Sequence, residues 1–494
     1  MRTFLRLSPL TVSVVVGFFA WAAYTLAGLE LLSPRGLFTL LTLLLLGYIA
    51  NQILRARRMS PGHWLINPAV LCSIVIFAIG LGLGNLLYIY PPATLESLGL
   101  APQITVWMCK LMALGIVAAV GMWLGYWSTA AERLARSIST WRWLQRVLRR
   151  DFDVRTEALV VLFVASLVSR LTLVNLGVYG YSANYERLME TVAIRQYLSL
   201  VSGLGLLALI VAAFRYYSPQ APASARWWLV GLLAYEVGFG FLSGFKSQVA
   251  MPLVVVGMCQ YLRIGRVPWR WVALFPLAVI AAYTVIEPFR GARQEYSALQ
   301  SNSVANIAGT MLEAVSEQST ASAPDVQRGT ELLVLARMST TYIASLGIEF
   351  ADSKPLPEGS PGFLSDIFLS PLYALIPRAI WPTKESSRHG VWYWNEVMGI
   401  DDWDAKTSVG MSPFTYLYFA GGGLAVALGF FFMGMLQRAW MHAFLRPDVA
   451  GALLVFLLGL RSLVMIDSVY YSTFIDLLRF TPGALLLQYL IFRR

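Results

Sequence analysis

The stretch "SPLYALIPRAIWPTKESSRHG" collects Arg378, Lys384, Arg388 and His389 around two prolines, Pro377 and Pro382. Upstream, "FLSGFKSQVAMPLVVV" carries Lys246, and "EPFRGARQEY" carries Arg290 and Arg293, with Glu287 at its start. A guanidinium offers a bidentate fork and an ammonium a point charge, so Arg and Lys that converge suit a phosphate or diphosphate. Such cations can stabilise a leaving group as negative charge develops, so neither a metal nor a cofactor is required. A hydroxyl acceptor also calls for a general base. His389 and Glu287 are the candidates for that role, with Glu295, Glu396 and Asp401 as competitors. Ordinary surface hydrogen bonding is the other reading of a single loop histidine. Trp381, Trp392, Trp394, Trp403 and Tyr393 either stack on sugar faces or form an interfacial belt.

The elements that must position these residues are membrane helices. Of 494 residues, 57% are hydrophobic and 13% charged, about half the ~25% charge of soluble domains. Apolar runs such as "SPLTVSVVVGFFAWAAYTLAGLELL" reach the ~20 residues that cross a bilayer, where lipid leaves the backbone no partner outside its own helix. The first run exceeds a signal-peptide core and has no small-x-small cleavage site, so it reads as a retained helix. Cys72, Cys109 and Cys259 each lie inside an apolar run without disulfide or zinc spacing. The net charge of +11 and the basic, aromatic "STWRWLQRVLRRDFDVR" read as cytoplasmic-loop and leaflet-binding features, not as a nucleic-acid surface.

The fold class is all-α and polytopic, with about twelve transmembrane helices near 8–32, 36–54, 66–89, 103–128, 157–178, 195–217, 226–244, 247–262, 268–288, 412–438, 449–466 and 471–492. Helices 1–9 fall in 1–288, an external loop in 289–411, and helices 10–12 in 412–494, all within one integral membrane domain. A cytoplasmic N-terminus gives the inside segments 21 arginines and the short outside loops only Arg35, Arg187, Arg195 and Lys246. By the positive-inside rule both termini are then cytoplasmic and the long loop, exempt from that rule, is external. Within it "VQRGTELLVLARMSTTYIASLGIEF" has helical apolar spacing and "PGFLSDIFLSPLYALIPRAIWP" reads as a short helix or re-entrant segment ended by prolines, amphipathic elements set against the outer leaflet, while "SKPLPEGSPG" reads as loop.

Lys110, Arg170, Arg461 and Arg479 lie inside expected helices, about 9 to 12 Å below the outer boundary by helical rise. A charge there either serves function or is neutralised, with Asp467, Asp476 and Glu236 as available acids and Asp476–Arg479 as an i, i+3 pair. Arg461 and Arg479 join Lys246, Arg290, Arg293, Arg378 and Lys384 as candidate ligands of a lipid phosphate.

Three stretches, taken in order, resemble one family. "FLSGFKSQVAMPLVVV" resembles the basic interhelical turn of bacterial oligosaccharide repeat-unit polymerases, the O-antigen polymerases. "EPFRGARQEY" is similar to their arginine motif at the loop entrance, and "LIPRAIWPTKE" to their late-loop signature. A glycine-rich helix, "SPFTYLYFAGGGLAVALGFFFMG", follows as in that family. The resemblance implies a glycosyltransferase of the glycosyltransferase C-like class in the bacterial cytoplasmic (inner) membrane. It would move a growing glycan from polyprenyl diphosphate onto a lipid-linked oligosaccharide repeat unit in cell-envelope polysaccharide biosynthesis. Its partners would be the polyprenyl-diphosphate-linked oligosaccharide, membrane lipids and a chain-length regulator, with no nucleic acid. The residues' own chemistry, without the family, gives the role of stabilising the diphosphate leaving group to Arg290, Arg378 and Lys246. The acidic residue that many relatives carry before the glycine-rich turn has no counterpart in "PFTYLYFAGGG". An O-antigen ligase is the nearest alternative, but His389 is followed by "GVWYWNE" and lacks the ligase His-Asn pair. A polytopic transporter or lipid flippase without catalysis is the alternative from another class; against it, no internal repeat is found and the polar residues collect outside the span centres.

Overall fold

A backbone in lipid must satisfy its own amides, and helix starts are written into the sequence as caps. Ser33 Oγ accepts the Gly36 amide with Pro34 in the first turn, Asn67 Oδ1 accepts from Ala69 before Pro68, Thr105 caps Val106, and Ser412 accepts from Thr415 with Pro413 in the first turn. The computed structural model describes residues 8–28, 30–97, 100, 103–180, 191–295, 303–320, 332, 335–336, 338–376, 381, 389–400, 410–466 and 469–492, with backbone only at 24, 192–193, 287, 290–295, 314 and 317–320.

The principal helices in chain order are α1 (Pro9–Gly28), α2 (Pro34–Met59), α3 (Pro68–Cys72), α4 (Val106–Trp127), α5 (Thr129–Ser139), α6 (Thr156–Asn175), α7 (Val192–Ser202), α8 (Leu204–Tyr216) and α9 (Ser224–Leu242). They continue with α10 (Lys246–Ile264), α11 (Trp269–Glu295), α12 (Val304–Thr320), α13 (Thr341–Ser353), α14 (Phe363–Ala374), α15 (His389–Trp392), α16 (Pro413–Phe444), α17 (Ala450–Val464) and α18 (Ser472–Ile491). Among the described residues nine helical segments are long and apolar enough to cross a bilayer. The chain is a polytopic helical membrane protein. Three further segments expected as spans are helical, α9, α10 and α17, but do not meet that measure of length and hydropathy. The third span is irregular: α3 runs on as a π-helix, Ser73–Gly82, and a 3-10 segment, Leu83–Ile89.

Two compact units are formed, the first from Met1–Arg146, Glu331–Arg446 and Val455–Ala484, the second from Val147–Thr330, Pro447–Leu454 and Leu485–Arg494. In the first, α4 and α16 meet without side chains between them. A Cβ on Gly125 would stand 1.9 Å from the Phe431 carbonyl oxygen, one on Gly121 2.6 Å from that of Ala427, and one on Gly434 1.9 Å from that of Met122. Small residues four apart let backbones approach where lipid supplies little hydrophobic drive between helices.

In the second unit, Phe289 of α11 is fully buried in a cluster with Leu173, Val174, Tyr179, Phe239, Ile307 and Met311. Arg170 of α6 and Glu236 of α9 form a buried ion pair at 2.9 Å, and the guanidinium also lies over the Tyr235 ring at 4.8 Å. Neutralisation by Glu236 was one of the two roles open to Arg170, and it is the one the structure shows. Breaking one partner of a buried pair strands the other charge, whereas an apolar pair of similar size removes both desolvation costs. Glu236→Ala is therefore expected to destabilise the protein by roughly 3–5 kcal/mol, and the double substitution Arg170→Met/Glu236→Leu to recover most of that. Thermal melting in detergent measures both.

Candidate functional site

The glycine-rich helix expected as one span over 412–438 is a reversal. At Gly422 the backbone takes φ +64, the left-handed region that a side chain disfavours, and Gly421 beside it is also non-helical. Phe414 and Phe430 consequently stack at 5.2 Å with planes 11° apart, and Leu417 fills the place of a Gly429 side chain. Sixteen residues of straight helix would separate those rings by ~24 Å. The first limb of α16, Pro413–Ala420, is folded back along the second.

That reversal draws the late part of the long loop into the first unit. Thr415 Oγ1 donates to the Ala344 carbonyl at 2.9 Å, Thr341 Oγ1 donates to Asn85 Oδ1 at 2.6 Å, and a Gly84 Cβ would stand 2.6 Å from Ser339 Cα. Asn85 belongs to the irregular third span, whose unwound turns free its side chain to meet Thr42 of α2 and Met112 of α4 as well. Helix α13 is thus packed inside the bundle, with Thr341, Ala344 and Ile348 buried, and not laid on a leaflet. Helix α14 keeps the expected amphipathic character: Phe363 is buried, while Leu364, Phe368 and Leu372 are exposed one turn apart. Residues 354–362 are loop, as read.

His389 opens α15 and is buried, with Nε2 3.0 Å from Asp366 Oδ2 on α14. The rings of Phe363, Tyr416 and Tyr471 stand 5.6, 5.6 and 5.7 Å from the imidazole. Burial pushes the imidazole below its ordinary value and the Asp366 charge offsets only part of that shift. A neutral imidazole oriented by a carboxylate is the form that takes a proton from a hydroxyl. Surface hydrogen bonding, the bland reading of this residue, does not fit its burial.

Phe363 stacks on Phe419 at 4.8 Å, and Trp392 and Phe350 close the aromatic group. Beyond it lies a second polar cluster. Lys110 of α4 pairs with Asp352 of α13, Tyr418 donates to the other Asp352 oxygen at 2.7 Å, and the ammonium lies 5.0 Å from the Tyr418 ring centre. Burial pushes the Asp352 carboxyl up, but Lys110 and Tyr418 together hold it below its ordinary range. An acid therefore does stand beside "PFTYLYFAGGG"; it comes from α13, distant in sequence. Trp392 and Tyr393 are core residues, Tyr393 donating to the Ile343 carbonyl. Trp381 is partly exposed against Tyr373, and Trp403 lies outside the described residues.

The other expected site residues are distributed as follows. Lys246 begins α10 in the second unit, its ammonium 3.5 Å from the Tyr283 ring centre on α11. Glu287 and Arg290 follow Tyr283 by four and seven residues along α11, and Arg293 lies beyond. The side chains of Glu287, Arg290 and Arg293 lie outside the described residues, as do Arg378, Lys384 and Arg388 altogether. Arg461 is exposed in the last turn of α17. Arg479 is a correction: its Nε and Nη2 both donate to the Ala374 carbonyl, at 3.3 and 3.0 Å, so it caps the C-terminal end of α14 in place of pairing with Asp476. A cation belongs at that end, where helix carbonyls lack partners. Lys110 and Arg170 are likewise engaged by acids of the protein. Asp366, Asp352, Tyr418 and Tyr416 were missed by sequence reasoning; the signal for Asp366 was a single acid in an otherwise apolar loop helix. Comparison with protein-family models, with curated proteins and with solved structures returns no match.

The His389 environment fixes a pH dependence. Because the folded chain resists a proton that the unfolded chain accepts, stability is complete above the ordinary value of 6.5 and is lost as pH falls through the lower folded value. Melting midpoints taken from pH 7.5 down to about pH 5 are expected to drop more steeply for the wild type than for His389→Gln. Parallel curves would show that His389 is not held neutral.

Proposed function

We propose that the chain is a membrane glycosyltransferase of the repeat-unit polymerase type. In this reading it transfers a growing glycan from polyprenyl diphosphate onto a lipid-linked oligosaccharide at the outer face of a bacterial cytoplasmic membrane. The observation that carries it is the buried His389 paired with the partly exposed Asp366, set beside the aromatic group of Phe363, Trp392 and Phe419. Asp366 precedes and His389 follows the stretch whose arginine, Trp-Pro and lysine resemble the polymerase signature. His389 takes the proton of the acceptor hydroxyl as its oxygen attacks the anomeric carbon. The bond from that carbon to the diphosphate breaks, and the configuration inverts. Polyprenyl diphosphate leaves with the electron pair. Stabilising its charge is the role that their cationic chemistry gives to Lys246, Arg290 and Arg378, and Asp366 holds the imidazole in place.

One observation favours a second reading. A span broken by glycines, as α16 is at Gly421 and Gly422, is a feature of transporters and lipid flippases. Reconstitution with a purified lipid-linked repeat unit separates the two: polymer formed without an energy source supports the transferase, movement without new glycosidic bonds supports the flippase.

General base catalysis contributes roughly 10²–10⁴-fold. His389→Ala is therefore expected to cut polymer formation by about 100-fold or more while the protein still inserts, with unpolymerised lipid-linked repeat units accumulating. Arg378→Lys, which keeps charge and loses the fork, should be severely impaired. Wild-type polymer from His389→Ala, or from both Arg378→Ala and Arg290→Ala, would overturn the assignment.

A further inference from the structure

The opposite end of the first unit contains a cavity that the proposed transfer does not use. Its volume is about 380 Å³, and Ser60, His63, Asn67, Trp127, Arg438 and His442 are among the residues that line it. Tyr126, at its floor, is sixteen residues along α4 from Lys110, ~24 Å by helical rise, so this cavity is separate from the Lys110–Asp352 cluster. It lies where α2 and α4 end, beside the arginine-rich segments 55–58 and 133–136.

Arg438 is its central group. The guanidinium lies over the faces of Tyr126 and Trp127, 5.4 and 5.5 Å from their centres, which fixes its plane and leaves its N–H edge for other partners. Among the described residues it forms no ion pair, and its Nε is buried without a hydrogen-bond acceptor. A buried charged donor left without an acceptor is costly, and a built site commonly explains one. The ring beneath it is locked: Asn67 Nδ2 donates to Tyr126 Oη at 2.8 Å, and that hydroxyl donates to Met441 Sδ at 3.3 Å. His442 follows Arg438 by one helical turn, and His63 and Ser60 enter from the connection after α2. Among the described residues no carboxylate lines the cavity. The acid on α5 that acts on Arg438 and His442 through space, Glu132, is itself paired with Arg136 at 2.7 Å.

Donors from two separate segments around one guanidinium suit the several oxygens of a phosphate better than a planar carboxylate, and the volume leaves room for what the phosphate is attached to. We propose that this cavity is a binding site for a phosphate ester, with Arg438 as its principal ligand and His63 and His442 as flanking donors. The ester is either the headgroup of an anionic phospholipid or a soluble phosphorylated molecule; both present the same oxygens to Arg438.

The test uses the full chain in neutral detergent, with thermal melting followed against two probes, inorganic phosphate and dioctanoyl phosphatidic acid, at ionic strength matched with chloride. At least one probe is expected to raise the melting midpoint saturably. Stabilisation by phosphate alone or by both probes assigns the site to soluble esters, and stabilisation by the lipid only assigns it to a headgroup. Arg438→Gln should raise the half-saturating concentration about tenfold or more, the loss expected for a charged hydrogen bond, and His63→Gln by a smaller factor. Should Arg438→Gln not fold, His63→Gln carries the test, because His63 lies in a connection outside the helices. No saturable stabilisation by either probe, or stabilisation unchanged in the variants that fold, would overturn the proposal.

Discussion

The contact between α4 and the second limb of α16 is the constraint from which the first unit follows. With Gly121, Gly125 and Gly434 bringing main chain onto main chain, the two helices are fixed in register. Everything α16 carries is then placed relative to α4. Tyr418 is set where Lys110 can share Asp352 with it, and Arg438 is set over Tyr126 and Trp127. Van der Waals packing of small residues is the means of association left when lipid tails are as apolar as the helices themselves.

The loop segments depend on that frame. Helix α13 is held through Asn85, which the irregular third span exposes, and α14 is tied at its end by Arg479 from α18. His389 and Asp366 therefore meet through two short loop helices that gain their positions from the spans beneath them. Without α18 the last carbonyls of α14 would lose a charged donor in a setting where water is scarce.

The spans were largely legible in the sequence because lipid imposes one rule on every residue over a length of ~20: among the described residues nine helical segments are long and apolar enough to cross a bilayer, and the ends of α4 and α6 moved by only a few residues. Legibility failed where tertiary contact overrides periodicity. "YFAGGGLAV" reads as continuous apolar helix, since glycine permits a left-handed residue without requiring one, and only the packing of Phe414 on Phe430 shows that Gly422 uses it. The intramembrane charges were found, and Glu236 was among the acids available to Arg170, but the partner of Lys110 was not: Lys110 and Asp352 are 242 residues apart, and no local spacing couples them. Arg479 was matched to the nearest acid on its own helix, whereas its partner is a carbonyl of another. Of the loop residues chosen for their chemistry, His389 is buried and faces Asp366.

The reversal in α16 also constrains biogenesis. Its second limb, about 33 Å long at 1.5 Å per residue, can enter the bilayer as an ordinary span. The first limb is eight residues, ~12 Å, too short to cross ~30 Å of hydrocarbon by itself. Its burying partners, Phe77 and Phe430, belong to two other spans. Membrane insertion must therefore run against the order of synthesis here: the later-made limb enters first, and the earlier-made one joins it once the third span and the second limb together offer it a wall.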